Sequence, residues 1–179
     1  MPVSYQDEQM VKRTLQGDNG AYAELVRTHQ QRVIAAAHHL CGDFEAAQDI
    51  AQEAFVQAYQ SLGQLREPGK YAAWLHGIVR NLCRKRLARQ RPHELSLERE
   101  RIPEPAVSGS LDCSDTALVL QTLPLAHREV LAARYLQEMD YEEIAQMLGI
   151  TVTNARVRCF RAKQALRSAL VGVGGGPGG

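Results

Sequence analysis

The chain has 179 residues, 45% of them hydrophobic and 23% charged, which excludes an intrinsically disordered protein and admits either one domain or two small ones. No apolar run approaches the ~20 residues of a bilayer-spanning helix, and the opening MPVSYQDEQMVKR lacks a signal-peptide core, so a cytoplasmic protein with no direct membrane insertion is expected. The net charge of +1 conceals segregation: eight basic residues against Glu67 alone from Arg66 to Arg91, six acids against Arg99 and Arg101 from Glu94 to Asp115, and five basic residues with no acid from Val152 to Arg167.

Helical spacing runs through nearly the whole chain. Tyr22, Leu25, Val26, His29, Val33, Ala36, Ala37 and Leu40 recur at three and four residues, and Gly42-Asp43 reads as a helix stop followed by a cap. Ala47, Ile50, Ala51, Ala54, Phe55 and Ala58 repeat the pattern. Gly63, Pro68 and Gly69 make residues 63–70 a loop, and Trp74, Leu75, Ile78, Val79 and Leu82 form the next apolar stripe. Residues 1–91 are thus expected to be a small helical domain whose last helix is also the first basic block. Periodicity fails over 92–113, where prolines and acids describe a flexible acidic linker. Helical order resumes at Ser114 or Asp115, either one a plausible cap. Pro124 starts a further helix with Val130, Leu131 and Tyr135 inward, and two helical units follow at 141–148 and 152–169. The end, VGVGGGPGG over 171–179, is expected to be a disordered tail. The fold class is all-α: two small helical domains, 1–91 and 114–170, on a tether.

The second basic block sits in a helix-turn-helix pattern, DYEEIAQMLGITVTNARVRCFRAKQAL. Tyr141, Ile144, Ala145 and Leu148 line one helix, Gly149 permits the turn, Ile150 plugs it, and Thr151 can cap the next helix. Ala155, Cys159, Ala162 and Leu166 face inward. Thr153, Asn154, Arg156, Arg158, Phe160 and Arg161 point elsewhere, many of them outward. Small inner residues let such a helix pack closely while its outer face enters the major groove, where arginine suits guanine and asparagine suits adenine. The alternative for the same pattern is a solvated amphipathic helix in a helical hairpin.

Two features of the first domain need another explanation. In DIAQEAFVQAY, Asp49, Gln52, Glu53 and Gln57 share one helical face opposite Ile50, Ala54 and Phe55; taken alone, this is a solvated face. The helix KYAAWLHGIVRNLCRKRLARQR mixes aromatics with cations, a combination suited to single-stranded DNA. The cysteines, Cys41, Cys83, Cys113 and Cys159, form no C-x-x-C pair. His38, His39 and Cys41 lie too close along one helix to converge on one ion, so no metal and no cofactor is expected.

In this order the pieces resemble the extracytoplasmic-function (ECF) sigma factors of bacterial RNA polymerase. GDNGAYAELVRTHQQRV is similar to the family's opening helix, DIAQEAF to its D-L-V-Q-E-x-F motif, and YAAWLHGIVRN to F-x-x-W-L-x-x-I-A-x-N. LPLAHREVLAARYLQEMDYEEIAQMLGIT is similar to the motif that opens the family's second domain, and the resemblance spans residues 7–168. It implies that Asp49, Gln52, Glu53, Phe55 and Gln57 dock on the clamp helices of the polymerase largest subunit. It implies that the loop 65–71 and the helix after it, with Arg66, Lys70, Tyr71, Arg80, Asn81, Arg84 and Lys85, read the −10 promoter element and hold it melted. Trp74 is expected to pack in the core. The helix-turn-helix, with Thr151, Thr153, Asn154, Arg156, Arg158, Phe160, Arg161 and Lys163, would read the −35 element while the domain contacts the flap of the second-largest subunit. An anti-sigma factor, often membrane-bound, is the implied regulator. The departures at Ala155, at Arg156-Val157-Arg158 and at Phe160 fall on or beside the reading face and leave the fold intact. No long domain follows the tail, so regulation by a fused C-terminal module is not expected.

The rivals are a stand-alone helix-turn-helix regulator, which leaves Asp49, Gln52 and Glu53 without a role, and a helical interaction protein, which does not need basic blocks in both domains. No paired carboxylates, phosphate loop or nucleophile motif suggests an enzyme, so no catalytic residue is assigned.

Overall fold

The computed structural model describes residues 3–90 and 116–174. The expected linker, its flanking caps and Cys113 lie outside the described residues, which contain helices and no strand. Four helices build the first half: α1 (Val3–Leu15), α2 (Asn19–Cys41), α3 (Phe44–Ser61) and α4 (Tyr71–Gln90). Asp18 and Asp43 each accept the backbone N–H of the third residue on, from Ala21 at 3.2 Å and Ala46 at 3.1 Å, satisfying donors left free in the first turns of α2 and α3. Gly42 ends α2 at φ 75°, and a Cβ there would lie 2.7 Å from the Gln121 side chain, so both conformation and space demand glycine. The loop of residues 63–70 is largely built from two single 3₁₀ turns, Leu62–Gln64 and Pro68–Lys70.

The inner faces of α2, α3 and α4 bury Leu25, Val33, Leu40, Ile50, Phe55, Leu75, Val79 and Leu82 in one core. Two polar devices fix α1 and α3 onto it. Asp7 and His29, both 2% exposed, pair at 2.9 Å, and the Tyr22 hydroxyl donates to the Phe55 carbonyl at 2.5 Å.

The second half contains α5 (Thr116–Gln121), α6 (Leu125–Leu131) running into a π-helical turn at Ala132–Leu136, α7 (Tyr141–Leu148) and α8 (Val152–Gly174). Its own core gathers Val119, Leu123, Val130, Leu131, Met139, Ile144, Ala155, Cys159 and Ala162. Tyr135, expected inward, is 57% exposed. The π-helical turn changes the rotation per residue just before it, so a 3.6-residue count from Val130 misplaces it. The helix expected to stop near Ala169 continues to Gly174, into the segment expected as a tail, because each residue added to a formed helix gains a backbone hydrogen bond.

The halves are in direct contact. Gln121 donates to the His39 carbonyl at 2.8 Å and Arg128 to the Leu40 carbonyl at 2.8 Å, so two of the carbonyls left open at the end of α2 are satisfied from the second half. Gln137 donates to the Arg32 carbonyl at 3.0 Å, and Leu125 enters the first core.

Candidate nucleic-acid interface

The reading helix of the second half is set by its caps. Asp140 accepts the Glu143 N–H at 2.7 Å while the Glu143 carboxylate accepts the Asp140 N–H at 2.9 Å, a reciprocal box that fixes the start of α7. Gly149 turns the chain at φ 65°, and the Thr151 hydroxyl accepts the Asn154 N–H at 3.2 Å to open α8. Ala155, Cys159 and Ala162 are buried and Leu166 partly so, which seats α8 close to α6 and α7. Thr151, Thr153, Asn154, Arg156, Arg158, Phe160, Arg161 and Lys163 are all exposed. The guanidinium of Arg156 lies 5.4 Å from the centre of the Tyr141 ring and that of Arg134 4.9 Å from it, two cation–π contacts on one ring. The outward surface of α8 is therefore a cationic strip into which Val157 and Phe160 also project, the latter at 62% exposure.

On α3 the polar strip is where its periodicity puts it. Asp49, Gln52 and Glu53 are exposed, and Gln57 donates to Glu53 at 3.1 Å. Phe55, grouped with them, is not part of that surface: it is 8% exposed in the first core, because it stands on the opposite face of the helix. Beside the strip, Tyr22, Val26, Val56 and Tyr59 line an open apolar groove of about 550 Å³ between α2 and α3.

The basic helix α4 and the loop before it divide their residues three ways. Arg66, Asn81 and Lys85 are exposed, and Lys70 is half-buried and pairs with Glu67 at 3.2 Å. Tyr71 cannot stack on a base from this position: it is fully buried, 5.4 Å from the His29 ring and 6.1 Å from Trp74. Its place at the start of α4 turns the ring under the loop and into the core. Trp74 packs against that core with one edge open. Arg80 and Arg84 face the second half, where Glu129, 2% exposed, takes Arg84 at 2.6 and 3.1 Å. The Arg80 Nε lies 3.0 Å from the same carboxylate without aligning its N–H on it, so that contact is charge pairing alone.

Glu129 is the functional contact that the hydrophobic pattern passes over. Its signal is in the sequence: it stands four residues after Leu125, on the buried side of α6, where a charge needs a partner. Farther along, Arg66, Lys70, Trp74 and Asn81 share a cleft of about 460 Å³ with Glu143, Gln146 and Met147 of α7. The surface expected to read the −10 element is thus closed on one side by the second half. Among the described residues no group of three or more His, Cys, Asp and Glu is placed to hold a metal. No described helix is long and apolar enough to cross a membrane.

Residues 25–93 match Sigma-70 region 2, and residues 116–166 match Sigma-70, region 4. The chain is 30% identical to RNA polymerase sigma-H factor of Pseudomonas aeruginosa, over 92% of this chain and 94% of that one. It is 29% identical to the ECF RNA polymerase sigma factor SigW of Bacillus subtilis, over 89% and 94%. Among solved structures it is similar to CnrH in complex with the cytosolic domain of CnrY, with a TM-score of 0.72 at 25% identity, covering 93% of this chain and 97% of that one.

Proposed function

From the premise that the chain belongs to the sigma-70 family of RNA polymerase sigma factors, of the ECF type, we propose how its residues divide the work of starting transcription. Residues 1–91 bind core polymerase and the −10 element, residues 114–170 bind the −35 element, and 92–113 tether them. The observation that carries this reading is the pairing, on one chain, of an exposed acidic and polar strip on α3 with two separate cationic helices. A stand-alone repressor needs one such helix and no strip.

Asp49, Gln52, Glu53 and Gln57 form a compact carboxylate and amide patch suited to arginines on the clamp helices of the largest subunit. Arg66, Lys70, Asn81 and Lys85, joined by Arg80 and Arg84 once Glu129 releases them, hold the opened −10 strand. Asn81 hydrogen-bonds the edge of an extruded base, whose flipping costs a few kcal/mol, about what stacking and polar contacts return. The exposed side of α8 enters the major groove, with Arg156 and Arg158 nearest its cap. The protein itself carries out no catalysis, works in the cytoplasm, and leaves phosphoryl transfer to polymerase. A protein regulator of the anti-sigma kind, covering both halves, fits the scaffold shared with CnrH, which is solved with CnrY bound.

Run-off transcription over a genomic fragment library, with core polymerase and this protein each alone and together, tests the reading. Promoter-specific transcripts are expected only from the mixture. Tight duplex binding by the protein alone, unchanged by polymerase, would replace it with the stand-alone regulator.

A further inference from the structure

The polar pair buried between α1 and α2 has no part in the contacts with polymerase or promoter. Asp7 Oδ1 and His29 Nε2 lie 2.9 Å apart, and both side chains are closed off from solvent. The pair fixes α1 on the core, but Met10 and Val11 pack there as well. Apolar side chains in place of a buried pair are often neutral or stabilising, so they would attach α1 about as well. What a hydrogen bond adds to an apolar contact is direction. Here it fixes the plane of the His29 ring, and that ring meets Tyr71 at 5.4 Å between centres, with the planes 60° apart. Tyr71 is fully buried, begins α4 and directly follows Lys70, the last residue of the loop of residues 63–70. From the other side, α1 packs on both single turns of that loop, and Asp7 borders the same cavity of about 670 Å³ as Arg66, Glu67 and Lys70. A line of contacts thus runs from the Asp7 carboxylate through the rings of His29 and Tyr71 to the backbone that carries Lys70 and Arg66.

We propose that Asp7 and His29 are positioning residues for promoter opening: their hydrogen bond sets Tyr71, and Tyr71 sets the loop whose Arg66 and Lys70 meet the −10 strand. The proposal rests on the reading of that loop given above. Neither Asp7 nor His29 touches DNA. The two turns of the loop are closed by the Leu65 N–H on the Leu62 carbonyl at 3.1 Å and the Lys70 N–H on the Glu67 carbonyl at 2.9 Å. Single 3₁₀ turns bond with poor geometry, so the path of the loop follows what its ends are seated on. A ring at position 29 without its hydrogen bond lets Tyr71, and the loop with it, settle in more than one place. A shift of about 1 Å in a group that must meet its target can cost up to about a hundredfold in rate.

The test uses the full chain with core polymerase on a promoter recovered by the run-off screen. Asp7→Leu/His29→Phe puts side chains of similar size there without a hydrogen bond, and Asp7→Asn keeps an oxygen that accepts from His29. Trp74 is the chain's one tryptophan and packs 6.1 Å from the Tyr71 ring, so acrylamide quenching of its emission reports the seat of Tyr71 without DNA. The double variant is expected to melt close to the native chain, because an apolar pair replaces a buried polar one. It should nevertheless quench more readily and open the promoter roughly tenfold more slowly, with unchanged affinity for polymerase and for upstream-element duplex. Asp7→Asn should match the native chain in each measurement. Native quenching in the folded double variant, native opening in it while Arg66→Ala opens slowly, or a loss spread equally over opening, polymerase binding and upstream-element binding would each overturn the proposal. Native opening in Arg66→Ala as well would overturn the −10 reading itself, and the proposal with it. Circular dichroism checks folding; should the double variant not fold, Asp7→Leu alone, which leaves no carboxylate without a partner, takes its place.

Discussion

Asn81 and Arg156 are the side chains whose removal separates the two promoter contacts. Both are exposed, and neither supports a core. Asn81→Ala is expected to slow promoter opening and relax −10 selectivity. Arg156→Ala is expected to weaken binding at one upstream position by about 1–3 kcal/mol, with the rest of the sequence preference unchanged. Footprinting and opening kinetics on a promoter library measure both. A uniform loss over all sequences with a shallower salt slope would mean that the side chains touch phosphates only. His76 makes a different prediction. It is fully buried on α4, neither ring nitrogen has a hydrogen-bond partner among the described residues, and burial, with Arg80 adding to it, pushes it down to about 4. The unfolded imidazole binds a proton near pH 6.5, whereas the folded one stays neutral until about 4. Stability is therefore full above pH 6.5 and falls as the pH drops toward 4, by about 3 kcal/mol at most from this group. Denaturant titrations at pH 7.5 and 5 should show that fall, and His76→Leu should flatten it.

The helix-turn-helix is held by its caps more than by apolar area, since α7 is only eight residues long. Asp140→Ala removes one half of the capping box and should cost about 1 kcal/mol. Gly149→Ala puts a side chain at φ 65° with open space around it, so its cost, about 1 kcal/mol, is backbone strain alone. Gly42→Ala adds a clash with Gln121 to the same strain and should cost more than Gly149→Ala. Thermal melts of the three variants give that order, and a Gly42→Ala protein as stable as Gly149→Ala would show that Gln121 is free to move. The turns at Gly42 and Gly149 were legible from sequence because each depends on residues within four positions along the chain. Tyr135 was misplaced because a π-helical turn changes the local periodicity, which no apolar count reveals.

Over the whole molecule, Glu129 decides which face of α4 is available. Its carboxylate is buried between Arg80 and Arg84 and holds the second half over the surface expected to bind the −10 strand. Glu129→Ala leaves those guanidinium groups without their shared counter-charge and should destabilise the closed form by about 3 kcal/mol. The expected readouts are a larger radius of gyration in solution scattering and tighter binding of −10 single-stranded DNA by the free protein. A variant as compact as the native chain, with unchanged DNA binding, would show that other contacts hold the seam.

The sequence by itself determined the main helices after α1, the helix-turn-helix, the exposure of α3's polar strip and of α8's basic face, and the family, because periodicity, caps and linear motifs are local. Only the tertiary structure decided that Tyr71 and Phe55 are core residues and that Arg80 and Arg84 are held by Glu129. Those facts depend on which helix faces turn toward each other across long stretches of chain, and an amphipathic pattern records that a face is buried without recording against what.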